Sequence, residues 1–127
     1  YSGFSIRASS HWNKDNSTIL TSEGKGRYDA NFTRAVWVKA EGAVPRGGNA
    51  GFLMMGHPTN YAHPELLRTW DTQHNGAVFA NFNPVQEASW NFEPGQDYIR
   101  RYRVFVYDGE LTKEQADGLW KEYRDEK

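Results

Sequence analysis

Two histidine–proline pairs lie close together in the segment 56–64, where side chains that can transfer protons or bind metals follow an apolar run. Asn60 and Tyr61 lie between His57 and His63, and the apolar run 51–55 comes directly before them. Because proline lacks a backbone N–H and disfavours helical geometry in the preceding residue, each histidine is expected to be extended. Histidine titrates near neutral pH and can act as general acid, general base or metal ligand. We predict a catalytic site at His57 and Asn60, with Tyr61 contacting the substrate.

Each of these side chains also has a structural alternative. The ring of His57 could hydrogen-bond across its own loop, and the amide of Asn60 could satisfy the backbone of the turn. The metal alternative joins the imidazoles of the His-Pro loop to groups further along the chain, and its candidate ligands are His57, His63, His74 and Asp71. Their spacing matches no compact zinc motif, and no phosphate-binding loop is present. We therefore predict no metal and no other cofactor.

Two tryptophans and two arginines are candidate substrate contacts. Trp12 and Trp70 lie next to polar segments, where an indole ring can stack on the C–H face of a sugar. Arg7 and Arg103 belong to strand-like segments, and planar guanidinium groups suit the recognition of carboxylates or sugars. The same arginines could instead pair with carboxylates on a neighbouring strand. Both alternatives stay open at the level of sequence.

The elements that must position these residues are mainly strands. Alternating apolar and polar residues, or short apolar runs between turn residues, predict strands over 4–8, 19–21, 32–40, 51–55, 66–72, 76–82 and 97–107, with a further short pairing over 89–92. A helix is predicted from Thr112, because Gln115 completes a capping box, and Leu119, Trp120 and Tyr123 form its apolar side. The pattern predicts a mainly antiparallel β-sandwich with one C-terminal α-helix.

Length and charge narrow the choice of partners. The 127 residues suit a single domain, here residues 1–127. A formal charge of −1 with no basic stripe argues against a nucleic-acid partner, and no apolar run approaches the roughly 20 residues that span a membrane. There are no cysteines, so disulfides are excluded. Because the chain lacks an initiator Met and enters a strand-like segment almost at once, we expect it to be a fragment of a longer protein.

Five segments in order resemble one protein family. They are the stretches 1–7, 22–24, 34–38, 56–60 with Pro64, and 101–109. On these segments the chain resembles the C-terminal half of the PmoA-like bacterial proteins, a family labelled "methane oxygenase". The mean hydropathy of −0.84 does not suit a membrane oxygenase subunit. The resemblance implies instead half of a galactose-mutarotase-like sandwich, in soluble, periplasmic or secreted proteins linked to carbohydrate use, with an N-terminal half that is missing here.

Three functions follow from these observations. The first is a carbohydrate-active β-sandwich whose site is the His-Pro loop. The second is a non-catalytic carbohydrate-binding module, in which Trp12 or Trp70 is the stacking platform and the histidines are structural. The third is a half-sandwich that needs a partner, either a second copy or the missing half, because open edges and an apolar face favour association. We expect the first of these, with the reaction undefined.

Overall fold

The computed structural model describes residues 3–126, so the Tyr1-Ser2 start of the first resemblance segment and Lys127 lie outside it. Residues 3–126 form seven strands, one short helical turn and one longer helix. In chain order they are β1 (Phe4–Arg7), β2 (Ser17–Thr21), β3 (Trp37–Ala43), β4 (Asn49–Gly56), β5 (Leu67–Thr69), α1 (Gln73–Gly76), β6 (Phe79–Phe82), β7 (Tyr102–Asp108) and α2 (Lys113–Asp125).

The strands form two antiparallel sheets. The small sheet has the order β1-β6-β5, and the large sheet has the order β2-β3-β4-β7. In the large sheet, β4 pairs with β3 along one edge and with β7 along the other, so that Met55 lies opposite both Trp37 and Arg103. The central strand therefore carries the His-Pro loop directly from the most buried part of the sheet.

Alternation along β4 divides the interior into two cores. Phe52 and Met54 face the small sheet, where they join a cluster that includes Phe82. Leu53 and Met55 face the other way and join Trp37 under the C-terminal helix. Because successive side chains of a strand point to opposite faces, one apolar run can serve both layers. The predicted antiparallel sandwich with one C-terminal helix is confirmed.

The C-terminal helix starts at the predicted capping box. The Gln115 N–H donates to Thr112 Oγ1 at 3.1 Å, and the Thr112 N–H donates to Gln115 Oε1 at 2.9 Å. Trp120 fixes the helix to the large sheet, because its Nε1–H donates to the carbonyl of Gly56 at 2.9 Å. Within residues 3–126, neither helix has the length and apolar character needed to cross a bilayer.

Three of the predicted strands differ most from the observed ones. The strand predicted over 97–107 begins only at Tyr102, and the pairing predicted over 89–92 does not form. Tyr102 lies opposite Gly56, the last residue of β4. Because the chain turns at Pro58 and Thr59, residues 97–101 have no continuing strand beside them to pair with. The strand predicted over 32–40 begins only at Trp37, since Phe32 has a φ of 62°, which interrupts extended backbone.

Candidate functional site

The His-Pro loop is held to the start of β7 by the side chain of Asn60. Its Oδ1 accepts the backbone N–H of Arg101 at 2.7 Å, and its Nδ2 donates to the Arg101 carbonyl at 2.8 Å. The amide thus copies the pairing that a neighbouring strand would make. Its Nδ2 also donates to Oε2 of Glu65 at 3.3 Å. The amide is therefore occupied within the protein, by the chain just before β7 and a buried carboxylate rather than by the backbone of its own turn.

His57 lies inside the protein, with 7% of its surface exposed. Its Nδ1 accepts the backbone N–H of Thr59 at 3.2 Å and lies 2.8 Å from the Thr59 hydroxyl oxygen. Because Nδ1 accepts, the N–H of the ring is on Nε2, which is buried and has no hydrogen-bond partner in the described part of the chain. The ring meets Tyr123 of α2 edge-on, with centroids 5.2 Å apart. His57 thus contacts the C-terminal helix rather than an open cleft.

The structure separates the candidate metal ligands. His63 lies over Trp120 with ring centroids 6.2 Å apart, and burial together with the nearby His57 lowers its pKa. His74 contacts Trp70, which lies beyond the other end of β5 from the His-Pro loop. Among residues 3–126, no group of three His, Asp, Glu or Cys side chains is arranged to hold a metal ion.

Glu65 is a buried carboxylate that was not among the residues predicted from the sequence. It is 1% exposed, and the Tyr102 hydroxyl donates to it, at 2.8 Å from Oε1 and 2.9 Å from Oε2. Arg100 forms an ion pair with the same carboxylate. Burial and the neighbouring Glu65 raise the pKa of Tyr102. Arg100 and Tyr102 are two residues apart and so lie on the same side of the chain. Such a pair of donors is the sequence pattern from which a buried acid facing them could have been predicted.

Tyr61 and Arg103 lie in two further clusters. Tyr61 stacks on Trp90 with ring centroids 4.2 Å apart, within an exposed aromatic group that also contains Phe92 and Tyr98. The guanidinium of Arg103 lies 4.7 Å from the Tyr123 ring centroid and pairs with Glu126 of the C-terminal helix segment. Arg103 therefore helps to hold the helix against the large sheet.

The remaining candidates meet in a different place, which we call the polar pocket. This cavity of about 330 Å³ lies between the end of β1, the loop after it and the turn around α1. It is lined by Arg7, Ala8, Ser10, Trp12, Asn13, His74, Asn75 and Ala77. Residues from two distant parts of the sequence, around positions 7–13 and 74–77, thus come together.

Trp70 forms the support of the polar pocket rather than an open surface. It is 9% exposed, and its ring stacks on Phe79 with centroids 4.7 Å apart. The guanidinium of Arg7 lies 4.9 Å from the Trp70 ring, and the His74 ring lies 4.6 Å from it. Trp70 therefore positions the side chains of Arg7 and His74 at the pocket.

Trp12 is half-buried, and its ring is held in place from one side. Its Nε1–H donates to the carbonyl of Ala43 at 2.9 Å. Gly42 allows this approach, because a Cβ there would lie 2.5 Å from the indole nitrogen. Ala43 pairs with Asn49 at the start of β4, whereas His57 follows the end of that strand. Trp12 also stacks on Phe52, with ring centroids 6.3 Å apart, and Phe52 precedes His57 by five residues of extended chain. At about 3.3 Å per residue, Trp12 and the His-Pro loop are therefore separated by roughly 15 Å.

A buried arginine fixes the frame of the polar pocket. Arg27 donates from Nη1 to the carbonyls of Gly76 at 2.7 Å and Asp71 at 3.2 Å. From Nη2 it donates to Ser17 Oγ at 2.7 Å and to the Ser17 carbonyl at 3.2 Å. Burial lowers the pKa of Arg27 from its ordinary value. One guanidinium thus joins the turn around α1 to the loop that carries Trp12.

The turn around α1 has an unusual backbone. His74, Asn75 and Gly76 have φ values of 54°, 60° and 75°, so three successive residues are left-handed. A Cβ on Gly76 would lie 2.5 Å from the backbone nitrogen of Lys14, so only glycine permits this close approach. Strained backbone of this kind persists where the surroundings hold it firmly. The result is that the His74 and Asn75 side chains lie at the polar pocket.

Comparison with known proteins gives a family without an assigned activity. No curated protein and no solved structure matches the chain. A family of unknown function, DUF6807, matches residues 1–121 and so covers nearly the whole sequence. The chain therefore belongs to the DUF6807 family.

Proposed function

We propose that this protein binds carbohydrate in the polar pocket, with Trp12 as the stacking platform. The observation that carries the proposal is the combination of an indole ring with amide, imidazole, hydroxyl and guanidinium groups around one cavity. Sugars present a C–H face that pairs with aromatic rings and a rim of hydroxyls that pairs with planar polar groups. The volume lies near the lower end of the roughly 300–1,000 Å³ typical of ligand sites, which suits one or two sugar rings.

This proposal corresponds to a binding module in which the His-Pro loop is structural. Asn60 is bonded to the backbone of Arg101, and Thr59 and Tyr123 enclose His57. The rigid frame around Arg27 supports the same conclusion, because a preformed site loses little conformational entropy on binding. The likeness to PmoA-like proteins linked to carbohydrate use belongs to this proposal as well.

A carbohydrate-active site at the His-Pro loop is the second candidate, and one observation favours it. The Nε2–H of His57 is buried without a partner in the described part of the chain, beside a second histidine that interacts with it. A buried donor without a partner costs free energy, and such groups recur at functional sites. A sugar reaching this donor would require Tyr123 and the C-terminal helix to move.

The two candidates are separated by alanine variants tested for sugar binding by glycan array and calorimetry. We expect Trp12→Ala to abolish binding, while His57→Ala retains it. Trp90→Ala is the matched control, since Trp90 is also a partly exposed tryptophan but lies in the cluster with Tyr61. If His57→Ala removes binding and Trp12→Ala does not, the polar pocket is excluded as the site.

A half-sandwich that needs a partner is the third candidate. Val106 is 75% exposed although its neighbour in the register is Phe52 of the core, and Val104 of the same strand is also exposed. β7 is an edge strand of the large sheet, so its outer backbone groups face no neighbouring strand in that sheet. Such an edge favours pairing with a second copy or with further chain. Light scattering after size-exclusion chromatography tests this idea, and a monomer at high concentration would argue against a second copy.

A further inference from the structure

We propose that the ligand of the polar pocket is an acidic sugar, a hexuronate whose carboxylate is bound by Arg7. This inference rests on the proposed carbohydrate-binding function and names the class of sugar. It depends on three features of the pocket: the state of the Arg7 guanidinium, the charges around it, and the position of Trp12.

The Arg7 guanidinium is available for a ligand. Its side chain is exposed and forms no ion pair or hydrogen bond with the described residues; its contact is with the face of Trp70, at 4.9 Å. A guanidinium stacked on an aromatic face keeps the N–H groups of its edge free. Two of these N–H groups match the two oxygens of a carboxylate, and such paired hydrogen bonds are about twice as strong as neutral ones.

The charges around Arg7 favour an anion. None of the residues that line the polar pocket is acidic. Behind the pocket, Arg27 adds a second positive charge, and it donates hydrogen bonds to carbonyl and hydroxyl oxygens rather than to carboxylates. Asp71 is the nearby acid: its carboxylate accepts the N–H of Thr72, and its charge interacts with that of Arg27. These two charges offset each other, so the Arg7 guanidinium carries the net charge at the pocket. An anionic ligand would therefore meet a net positive environment.

Trp12 makes a sugar acid a better ligand than a simple carboxylate. It lines the same cavity as Arg7, so a ring that lies on the indole can direct a substituent carboxylate toward the guanidinium. A hexuronate has both parts, namely a C–H face for the indole and a carboxylate on the ring. Asn75, Ser10 and the amide N–H groups of Asn13, whose Oδ1 accepts the Asp15 N–H, then remain for the hydroxyl groups.

Isothermal titration of the whole chain tests the inference with five probes: glucuronate, galacturonate, the matching neutral sugars glucose and galactose, and acetate. We expect at least one uronate to bind the wild type about tenfold or more tightly than its neutral sugar, since one bidentate charged contact provides a factor of this size. Arg7→Gln should reduce the uronate affinity to that of the neutral sugar, and Arg7→Lys should give an intermediate value. Arg46→Gln, which removes an exposed arginine outside the pocket, should change nothing.

The possible failures are distinguishable. If neutral sugars bind as tightly as uronates, or if Arg7→Gln keeps the preference, the acidic-sugar inference is wrong while carbohydrate binding stands. If acetate binds as tightly as the uronates, the sugar ring contributes nothing and the inference is also wrong. If no sugar of either kind binds the wild type, the proposed function itself fails. Because Arg7 is exposed, its variants should keep the thermal midpoint of the wild type, and this is measured for each of them.

Discussion

Replacing Arg27 by methionine should remove the link that holds the two sides of the polar pocket together. The side chain is 7% exposed and its two shortest bonds, both 2.7 Å, go to the Gly76 carbonyl and to Ser17 Oγ. Hydrogen bonds to a charged group contribute about 1.5–3 kcal/mol each, so these two bonds alone contribute about 3–6 kcal/mol. Methionine refills part of the volume, and we expect a net loss of about 3–5 kcal/mol in the free energy of unfolding.

That loss is large relative to the roughly 5–15 kcal/mol that stabilises a typical domain. Urea denaturation followed by tryptophan fluorescence measures it directly, and the thermal midpoint should fall by on the order of 10 °C. Arg46→Met is the matched control, because its ion pair with Asp108 is exposed and should contribute less than about 1 kcal/mol. A loss below about 1 kcal/mol for Arg27→Met would refute the view that Arg27 holds this frame.

Two further changes test the electrostatics and the backbone. Burial alone would raise the pKa of Glu41, but hydrogen bonds from Lys39, the Leu111 N–H and Tyr107 outweigh it and lower the pKa. The ionised carboxylate of Glu41 therefore stabilises the fold at pH values above its ordinary pKa of 4.5, and this stability is lost as the pH falls below that value. Glu41→Gln should therefore flatten the dependence of the free energy of unfolding on pH in the acid range. An unchanged dependence would contradict the role of Glu41. Gly76→Ala and Gly24→Ala both place a side chain at a φ near 75°, but a Cβ meets another residue only at position 76. Urea denaturation should show a larger loss for Gly76→Ala, by about 1–3 kcal/mol, and equal losses would mean that Lys14 yields without cost.

The sequence was sufficient to predict the layers of the fold because burial leaves a periodic pattern. The alternation of Phe4–Arg7 marks a strand with one covered face, and the apolar run of β4 marks a strand covered on both faces. The capping box at Thr112 marked the start of the last helix to the residue. These signals are local, and no long-range contact is needed to read them.

The lengths of the edge strand and the partners of the loops depend on long-range contacts, and these were not predicted. The alternation of 97–107 continues past the end of its partner β4, so periodicity alone overestimated β7. The role of Asn60 depends on Arg101, which is 41 residues away. Glu65 could have been found only by asking what Arg100 and Tyr102 would face.

The candidate site could be predicted only in part, because it too depends on long-range contacts. Arg7, Trp12 and His74 were each selected for their chemistry, but their meeting at one cavity depends on the pairing of β1 with β6 and on the turn around α1. Arg27 carries no motif, since a lone arginine beside a turn is indistinguishable in sequence from a solvated one. The buried position that makes it important is a property of the folded chain.

The most direct test of carbohydrate binding in the polar pocket is the set of indole N–H signals in a nitrogen–proton correlation spectrum. The chain has five tryptophans, and each signal is assigned by one Trp→Phe variant. On titration with the sugar that binds in calorimetry, we predict that the Trp12 signal moves most, while the signals of Trp37 and Trp90 stay in place. Movement of Trp90 or Trp120 with a fixed Trp12 would contradict the account and move the site to the surroundings of the His-Pro loop.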